Sequence, residues 1–256
     1  MEGRRAVREL LAVGRRAVRE VVVAEGQDDS PLLDEVIALA AAKGVPLRSV
    51  PAAELRAAAR TGAPQGVIAR AAPVVPVGLD ELVAANPGHV PPRTPDGAVP
   101  FLVVVAEVTD PQNLGAILRS ALGAGVTGVV LAAHRTAHLT PAAVKAAAGA
   151  VEHLPIALVA GSGPALTTLG ERGVWTVALD PEGEQSIGEL EIATEPLAIV
   201  VGAEGRGLAP LVRRRCDVRL RIPLYGPVGS LNVSVATAVA LFALAERRHG
   251  AAGGAP

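Results

Sequence analysis

The stretch IPLYGPVGSLNVSVATAVALF, residues 222–242, runs from a loop with glycine and proline into an almost wholly apolar segment. Residues 233–245 are apolar nearly all round at helical spacing, so this helix must be buried on more than one side, against a sheet and against a partner subunit. Ser230 can cap the helix through a main-chain amide, or Asn232 can be the cap itself. A cap accounts for one of these polar residues and leaves the other, beside Gly226 and Gly229, to be explained.

The composition is that of an aliphatic globular protein. With 256 residues the chain suits one large or two small domains, and half of its residues are hydrophobic although only 2% are aromatic. The single cysteine, Cys216, excludes a disulfide framework, and the five histidines show no metal-ligand spacing, so we expect no metal site. No apolar run reaches the roughly 18 residues that span a bilayer, and the charged N-terminus lacks a signal-peptide core. We expect a cytoplasmic protein without a membrane segment.

The charge of the chain does not by itself decide whether the protein binds a nucleic acid. The formal net charge is −1, so the overall field does not indicate a nucleic-acid binder. Nearly all cations are arginine, which suits phosphate recognition, although such clusters are also common on solvated faces. The clusters are Arg4, Arg5 and Arg8; Arg15, Arg16 and Arg19; and Arg213, Arg214 and Arg215.

A proline-rich segment divides the chain. Residues 73–100 hold seven of the 21 prolines, with turn formers at 86–88 and 95–97, and favour a linker that contains a short helix at 79–85. We therefore predict a domain at 1–76, a linker at 77–97 and a second domain at 98–256.

Both domains alternate between helical and extended patterns, which predicts the α/β class. In the first domain the order is helix 4–13, strand 20–24, helix from 31, strand 46–50, helix 52–60 and strand 66–71. In the second, strands are predicted at 101–108, 128–132, 155–159, 174–179, 197–201 and 218–222, and helices at 114–124, 141–149, 163–172, 208–216 and 232–248. Continuous apolar strands predict a parallel sheet covered on both faces, and ligands of such sheets bind beyond the carboxyl ends of the strands.

The loop after the first of these strands carries the sequence TDPQNLGAILRSALGAG, residues 109–125. Thr109 or Asp110 can cap the following helix. Arg119 lies one turn beyond Gly115, and because helical side chains lean toward the N-terminus it points back toward Asn113. A cation there opposes the helix dipole by about 0.3–1 kcal/mol. Either a bound anion offsets this cost, or Arg119 is exposed and hydrated.

A second loop, VVGAEGRGLAP at residues 200–210, has the outline strand, three glycines, helix. Its glycines let the backbone approach a ligand closely. The second glycine is displaced from the dinucleotide pattern G-x-G-x-x-G, and Glu204 would face a pyrophosphate. A mononucleoside without phosphates therefore fits this loop better than NAD does.

Together, DPQNLGAILRSALGAG, VVGAEGRGL and IPLYGPVGSLNVSVATAVALF resemble, in order, the three motifs of the SpoU (TrmH) family of RNA 2′-O-ribose methyltransferases, in the SPOUT superfamily. The N-terminal stretches GRRAVRELL and PQGVIARA resemble the substrate-binding domain of that family. The resemblance implies a C-terminal domain threaded as a deep trefoil knot, S-adenosylmethionine as cofactor, and a homodimer with the last helix at the interface. The implied activity is methylation of an RNA ribose, with a guanosine in the peptidyl-tRNA-binding loop of 23S rRNA as the expected target.

The resemblance also implies roles for individual residues. The family's proposed catalytic positions fall on Arg119, Glu204, Ser230 and Asn232, with Asn113 as the asparagine of the first motif, and its cofactor contacts fall on Gly202, Ile222 and Leu231. Because a guanidinium stays protonated, we expect Arg119 to stabilise the developing alkoxide rather than act as a base. Glu204 would orient Arg119, while Asn113, Ser230 and Asn232 would position ribose and cofactor. Gly229 stands where many relatives carry serine.

Three alternatives stay open at this stage. Enzymes that methylate a tRNA guanosine, or the 23S rRNA adenosine of thiostrepton resistance, share the same three motifs. A non-catalytic RNA-binding or ribosome-assembly scaffold would keep the fold without the chemistry, and the intact polar motif residues argue against it. An NAD-dependent enzyme is disfavoured by the displaced glycine.

Overall fold

A computed structural model describes residues 1–83, 94, 97–134 and 136–251. Much of the predicted linker, and the last two residues of its predicted helix at 79–85, lie outside the described residues. By contacts the chain divides into two compact units, residues 1–75 with 139–153, and residues 76–138 with 154–256.

The helices and strands follow the alternation that the sequence predicts. The described helices are α1 Arg4–Val13, α2 Pro31–Ala42, α3 Ala52–Ala58, α4 Leu79–Leu82, α5 Pro111–Gly123, α6 Pro141–Ala146, α7 Ser162–Glu171, α8 Pro210–Arg215 and α9 Val233–Ala251. The described strands are β1 Val18–Ala24, β2 Leu47–Val50, β3 Val67–Ala71, β4 Phe101–Val105, β5 Gly128–Ala132, β6 Ile156–Val159, β7 Trp175–Leu179, β8 Gln185–Ser186, β9 Leu197–Val201 and β10 Val218–Arg221.

The first unit is built on a small sheet with the strand order β2-β1-β3, counted over the described residues. β1 runs parallel to β2 and antiparallel to β3. Its side chains alternate between two cores, as the period of a strand requires. Val21 and Val23 pack with α1 and α2, whereas Val22 and Ala24 pack with Leu55 of α3.

The segment 139–153, which contains α6, belongs by contacts to this first unit. Arg16 holds it there: its Nε donates to Glu152 Oε2 at 3.0 Å, and a second nitrogen pairs with the other oxygen of the same carboxylate. The Glu152 side chain is almost fully buried, and a buried carboxylate requires such a paired, charge-assisted contact.

The second unit contains a sheet of seven described strands in the order β6-β5-β4-β9-β7-β10-β8, and every paired strand is parallel. The predicted parallel sheet is therefore confirmed. β4 and β9 are buried along their whole length, which explains their continuous apolar sequence. β4 ends at Val105 rather than at the predicted residue 108, and Glu107 beyond it has a left-handed backbone with φ of 62°. The short strand β8 was not predicted.

The strand order decides where a ligand can bind. β9, β7 and β10 are neighbours, so the segments that follow them meet at one edge of the sheet. Over the described residues, no helix combines the length and the hydropathy that crossing a bilayer needs.

Candidate active site

A cavity lies beyond the carboxyl ends of β7, β9 and β10. It encloses about 700 Å³ of space, part of it open to solvent. Its lining is largely apolar and includes Leu179, Val201, Gly202, Ile222, Leu224, Ser230, Leu231 and Val233. All three predicted cofactor residues, Gly202, Ile222 and Leu231, therefore face one space, whose apolar walls suit a nucleoside.

Gly202 has a geometric reason to be glycine. A Cβ atom built on it would lie 2.4 Å from the carbonyl carbon of Gly207 and 2.5 Å from the amide nitrogen of Leu208. The backbone at 207–208 thus folds directly over Gly202 and closes the loop 203–207 on itself. Residues of this tight turn line the cavity, where glycine lets the backbone approach the nucleoside cofactor that the motifs imply.

Beside the cavity, three polar side chains from three separate segments form one hydrogen-bonded cluster. Asn113 Nδ2 donates to Glu204 Oε2 at 3.0 Å. Asn232 Nδ2 donates to Glu204 Oε1 at 2.7 Å and to Asn113 Oδ1 at 3.1 Å. The first turn of α5, the glycine loop after β9 and the start of α9 therefore meet, as the sequence motifs predict.

Local capping places two of these side chains. Asp110 Oδ1 accepts from the Gln112 amide at 2.9 Å and starts α5, whose first turn buries Asn113. Asn232 Oδ1 accepts from the Ser234 amide at 2.9 Å and starts α9. The cap of α9 is thus Asn232 and not Ser230, and the same side chain caps the helix with its oxygen and joins the cluster with its nitrogen.

Ser230 and Arg119 stand apart from this cluster. Ser230 is exposed and lines the cavity. Arg119 is exposed on α5, and it makes no hydrogen bond or ion pair with any residue that the structure describes. Glu204 uses its carboxylate for Asn113 and Asn232, so within one chain it does not orient Arg119. The predicted contact is absent within one chain and stays a prediction for the assembled enzyme.

A second cavity lies on the other side of the glycine loop. It includes about 1390 Å³ of space, part of it open to solvent, and it shares Ala203, Glu204 and Gly207 with the first cavity. Its remaining lining comes from Glu107, Val108, Thr109, Asp110, Asn113, Arg206, Leu208, Ala209 and Pro210. Glu204 thus lines both cavities, and its partner Asn113 lines the second.

The sequence analysis missed Asp180, which lines the first cavity and is 7% exposed. The signal was available, because Asp180 directly follows the strand predicted at 174–179, at the sheet edge where ligands are expected. Among the described residues, no group of three or more histidine, cysteine, aspartate or glutamate side chains could hold a metal ion.

Comparisons with known proteins agree with this geometry. A model of the SpoU rRNA Methylase family matches residues 100–242, and a model for RNA 2′-O ribose methyltransferase substrate binding matches residues 1–76. The chain is 38% identical over 250 residues to the 23S rRNA (guanosine-2′-O-)-methyltransferase RlmB of Pseudomonas putida, covering 96% of each protein. It is 35% identical over 249 residues to an uncharacterized tRNA/rRNA methyltransferase of Mycolicibacterium vanbaalenii, covering 97% of this chain and 76% of that protein.

Solved structures share the fold. The AdoMet-bound rRNA methyltransferase of Sinorhizobium meliloti superposes with a TM-score of 0.74 at 26% identity, covering 96% of this chain and 86% of that one. The SpoU methyltransferase AviRb of Streptomyces viridochromogenes, in complex with AdoMet, gives a TM-score of 0.78 at 22% identity, covering 98% and 90%.

Proposed function

This chain belongs to the SpoU family of RNA methyltransferases, and from that premise we propose its target, its site residues and its assembly. It is an S-adenosylmethionine-dependent RNA 2′-O-methyltransferase. The proposed target is a guanosine of 23S rRNA, in the peptidyl-tRNA-binding loop. The support is the match of nearly the whole chain to enzymes named for 23S guanosine methylation.

We assign the apolar cavity beyond β7, β9 and β10 to the cofactor. Gly202, Ile222 and Leu231 would hold it, since all three line that space and Gly202 allows the tight loop closure. Bound S-adenosylmethionine supplies a methyl group activated by its sulfonium charge. Ser230 lies three residues before the start of α9 and lines the cavity, so it can contact either the cofactor or the incoming ribose.

The cluster of Asn113, Glu204 and Asn232 is the single observation that carries the catalytic assignment. These side chains satisfy one another by hydrogen bonds, so they are held in place before substrate arrives, and pre-organised polar groups of this kind reduce the cost of reorganisation during reaction. Glu204 lines both the cofactor cavity and the second cavity, and Asn113 lines the second. We therefore expect the ribose in the second cavity, with its 2′-oxygen beside Asn113 and Glu204.

Arg119 is assigned the stabilisation of negative charge on the 2′-oxygen and the neighbouring phosphate. A guanidinium carries five donors in a planar fork and suits this task. Because Arg119 makes no contact with Glu204 in its own chain, we propose that it completes the site of a second subunit. The enzyme would then act as a homodimer.

The surface of α9 supports that assembly. Val235, Val239 and Phe242 are exposed at a spacing of four and three residues, which places them along one helix face. Leu122 of α5 is also exposed, and Phe242 of α9 lies close to Gly123 of α5. An apolar patch across two packed helices is typical of a protein–protein interface.

Two further parts of the proposal follow from the family. Residues 1–76 are proposed to recognise the RNA, in agreement with the substrate-binding model that matches them. The second unit is proposed to be threaded as a trefoil knot, with the segments after β9 and β10 converging on the cofactor cavity. An enzyme with a ribosomal substrate would act in the cytoplasm.

The test is transfer of tritiated methyl from S-adenosylmethionine to unmodified 23S rRNA and to bulk tRNA, in parallel, followed by mapping of the labelled nucleotide. Label at a 23S guanosine that disappears with Arg119→Ala is expected. Label confined to tRNA, or at an adenosine, would refute the target. Tight RNA binding with no label in either RNA would favour the scaffold over the enzyme.

A further inference from the structure

Asp180 has an unusual environment for a carboxylate. It directly follows β7, is 7% exposed and lines the cavity assigned to the cofactor. Its Oδ1 accepts from the Glu182 amide at 3.0 Å. Its Oδ2 is buried and has no hydrogen-bond partner among the described residues.

Two arginines compensate the charge of Asp180 but not the missing hydrogen bond. Nη1 of Arg213 lies 3.6 Å from Oδ2, and Nη1 of Arg219 lies 3.8 Å from it. Both distances are within ion-pair range and beyond that of a hydrogen bond. A buried polar atom left in this state is uncommon and calls for a missing partner, such as a ligand or an ordered water.

The charged residues that line the cavity indicate which kind of ligand could bond to Asp180. Among the described residues, its charged members are Asp180 and Glu204, and no lysine or arginine lines it. Glu204 is already engaged by Asn113 and Asn232. Of these two carboxylates, Asp180 is the one with an oxygen that lacks a hydrogen bond, and a ligand that brings N–H or O–H donors fits it. S-adenosylmethionine carries two ribose hydroxyls and an ammonium group.

We propose that Asp180 is a cofactor-binding residue whose carboxylate accepts a hydrogen bond from a ribose hydroxyl or the ammonium group of S-adenosylmethionine. This inference rests on the proposed location of the cofactor. Arg213 and Arg219 lie within ion-pair range of the carboxylate, and the Glu182 amide fixes its rotation. Asp180 thus adds a charged side-chain contact to a site lined mostly by glycines and apolar side chains.

The experiment is calorimetric titration of the full chain with S-adenosylmethionine, without RNA. Asp180→Asn and Asp180→Ser both remove the charge, and both keep an oxygen that can accept from the Glu182 amide. The matched control is Glu182→Gln, since Glu182 is two residues away, lies 3.8 Å from the same Arg213 and does not line the cavity. We expect Kd to rise about 10- to 100-fold for both Asp180 variants and less than about twofold for the control.

A second ligand identifies the donor. 5′-Methylthioadenosine keeps the ribose and lacks the amino-acid part. If Asp180→Asn weakens it as strongly as it weakens S-adenosylmethionine, the donor is a ribose hydroxyl; if only S-adenosylmethionine is weakened, the donor is the ammonium group. Either result supports the contact. Melting temperatures of the ligand-free variants show that each one is folded.

Gly202→Ala separates failure of this inference from failure of the proposed site. If Gly202→Ala loses the cofactor while both Asp180 variants bind within twofold of wild type, the Asp180 contact is refuted and the site stands. If all three variants bind like wild type, the cavity is not the cofactor site and both proposals fail. Equal losses in Asp180→Asn and Glu182→Gln would assign the effect to the loop as a whole and overturn the contact.

Discussion

Asn232 donates a hydrogen bond of 2.7 Å to Glu204, across 28 residues of sequence. The same amide group reaches Asn113, while its oxygen caps α9. One side chain therefore fixes the start of the last helix relative to the glycine loop and to α5. Any change at this position acts on the fold and on the site, and the two effects can be separated by the choice of substitution.

Asn232→Asp and Asn232→Ser should both keep α9 capped, because aspartate and serine are good N-caps. Both lose the donor to Glu204. Asn232→Asp also places a second carboxylate beside Glu204, so we expect methyl transfer to fall by about 100-fold at neutral pH and less in Asn232→Ser. The activity of Asn232→Asp should recover in part as pH falls, because a protonated carboxyl donates again. Wild-type activity of Asn232→Asp at neutral pH would contradict the role of this hydrogen bond.

Gly202→Ala should disrupt the glycine loop. The added Cβ would overlap the backbone of Gly207 and Leu208, which has no flexible side chain to move aside. We expect a loss of stability of about 1–3 kcal/mol, by unfolding in denaturant, together with loss of cofactor binding. Gly229→Ala is the control, since a Cβ there meets no atom within 4 Å. If both variants have the same stability and the same cofactor affinity, the close approach of the backbone to Gly202 does not require glycine there, and the prediction is wrong.

Much of the site could be predicted because its segments follow buried parallel strands, whose carboxyl ends share one edge. Which polar side chains of the site pair with one another could not be predicted. Ser230 and Asn232 both carry an oxygen that can cap a helix, and only the position of Asn113 and Glu204 decides that Asn232 is used. Glu204 was expected to meet Arg119, whereas the packing of α5 turns Asn113 toward it.

Two other features could not be predicted from the sequence, because they too depend on contacts between distant residues. Asp180 is an ordinary residue of an Asp-Pro turn until tertiary structure buries its Oδ2 without a partner. Segment 139–153 reads as part of the second α/β alternation, yet the pairing of Glu152 with Arg16, 136 residues apart, holds it with the first unit. Contacts of such long range leave no periodic pattern.

Glu9 should make stability depend on pH in the acid range. Burial raises the pKa of its carboxyl, but hydrogen bonds from His153 and Arg8 outweigh this, and the net pKa lies below the ordinary value of 4.5. The contribution is thus present above about pH 4.5 and lost as pH falls through the folded-state pKa. Glu9→Gln should be less stable than wild type at pH 7, by on the order of 1 kcal/mol, and the gap should close in acid. Glu35→Gln, at the more exposed partner of Arg8, is the control for unfolding measured across this range. A gap independent of pH would contradict the assignment.

The exposed face of α9 should hold the dimer together. Val239→Glu combined with Phe242→Glu places charges in the middle of the apolar patch, where burial without a partner is costly. We expect the double variant to be monomeric by light scattering and inactive in methyl transfer. Leu211→Glu, an exposed apolar position on α8, is the control and should stay dimeric. A dimeric double variant would exclude this face as the interface.

Arg119 is expected to act across that interface, and mixed dimers test this directly. Arg119→Ala and Glu204→Gln should each be inactive alone. If Arg119 of one subunit serves the site of the other, a heterodimer of the two variants contains one site with both residues intact. Random mixing makes half of the dimers heterodimers, so roughly a quarter of wild-type activity should return, as the two-fold symmetry requires. If both residues serve the same subunit, each site carries a defect and no activity returns.

Arg119→Lys, which keeps the charge, should retain a few per cent of activity. Complete loss in that variant would mean that the planar guanidinium, and not its charge alone, is required.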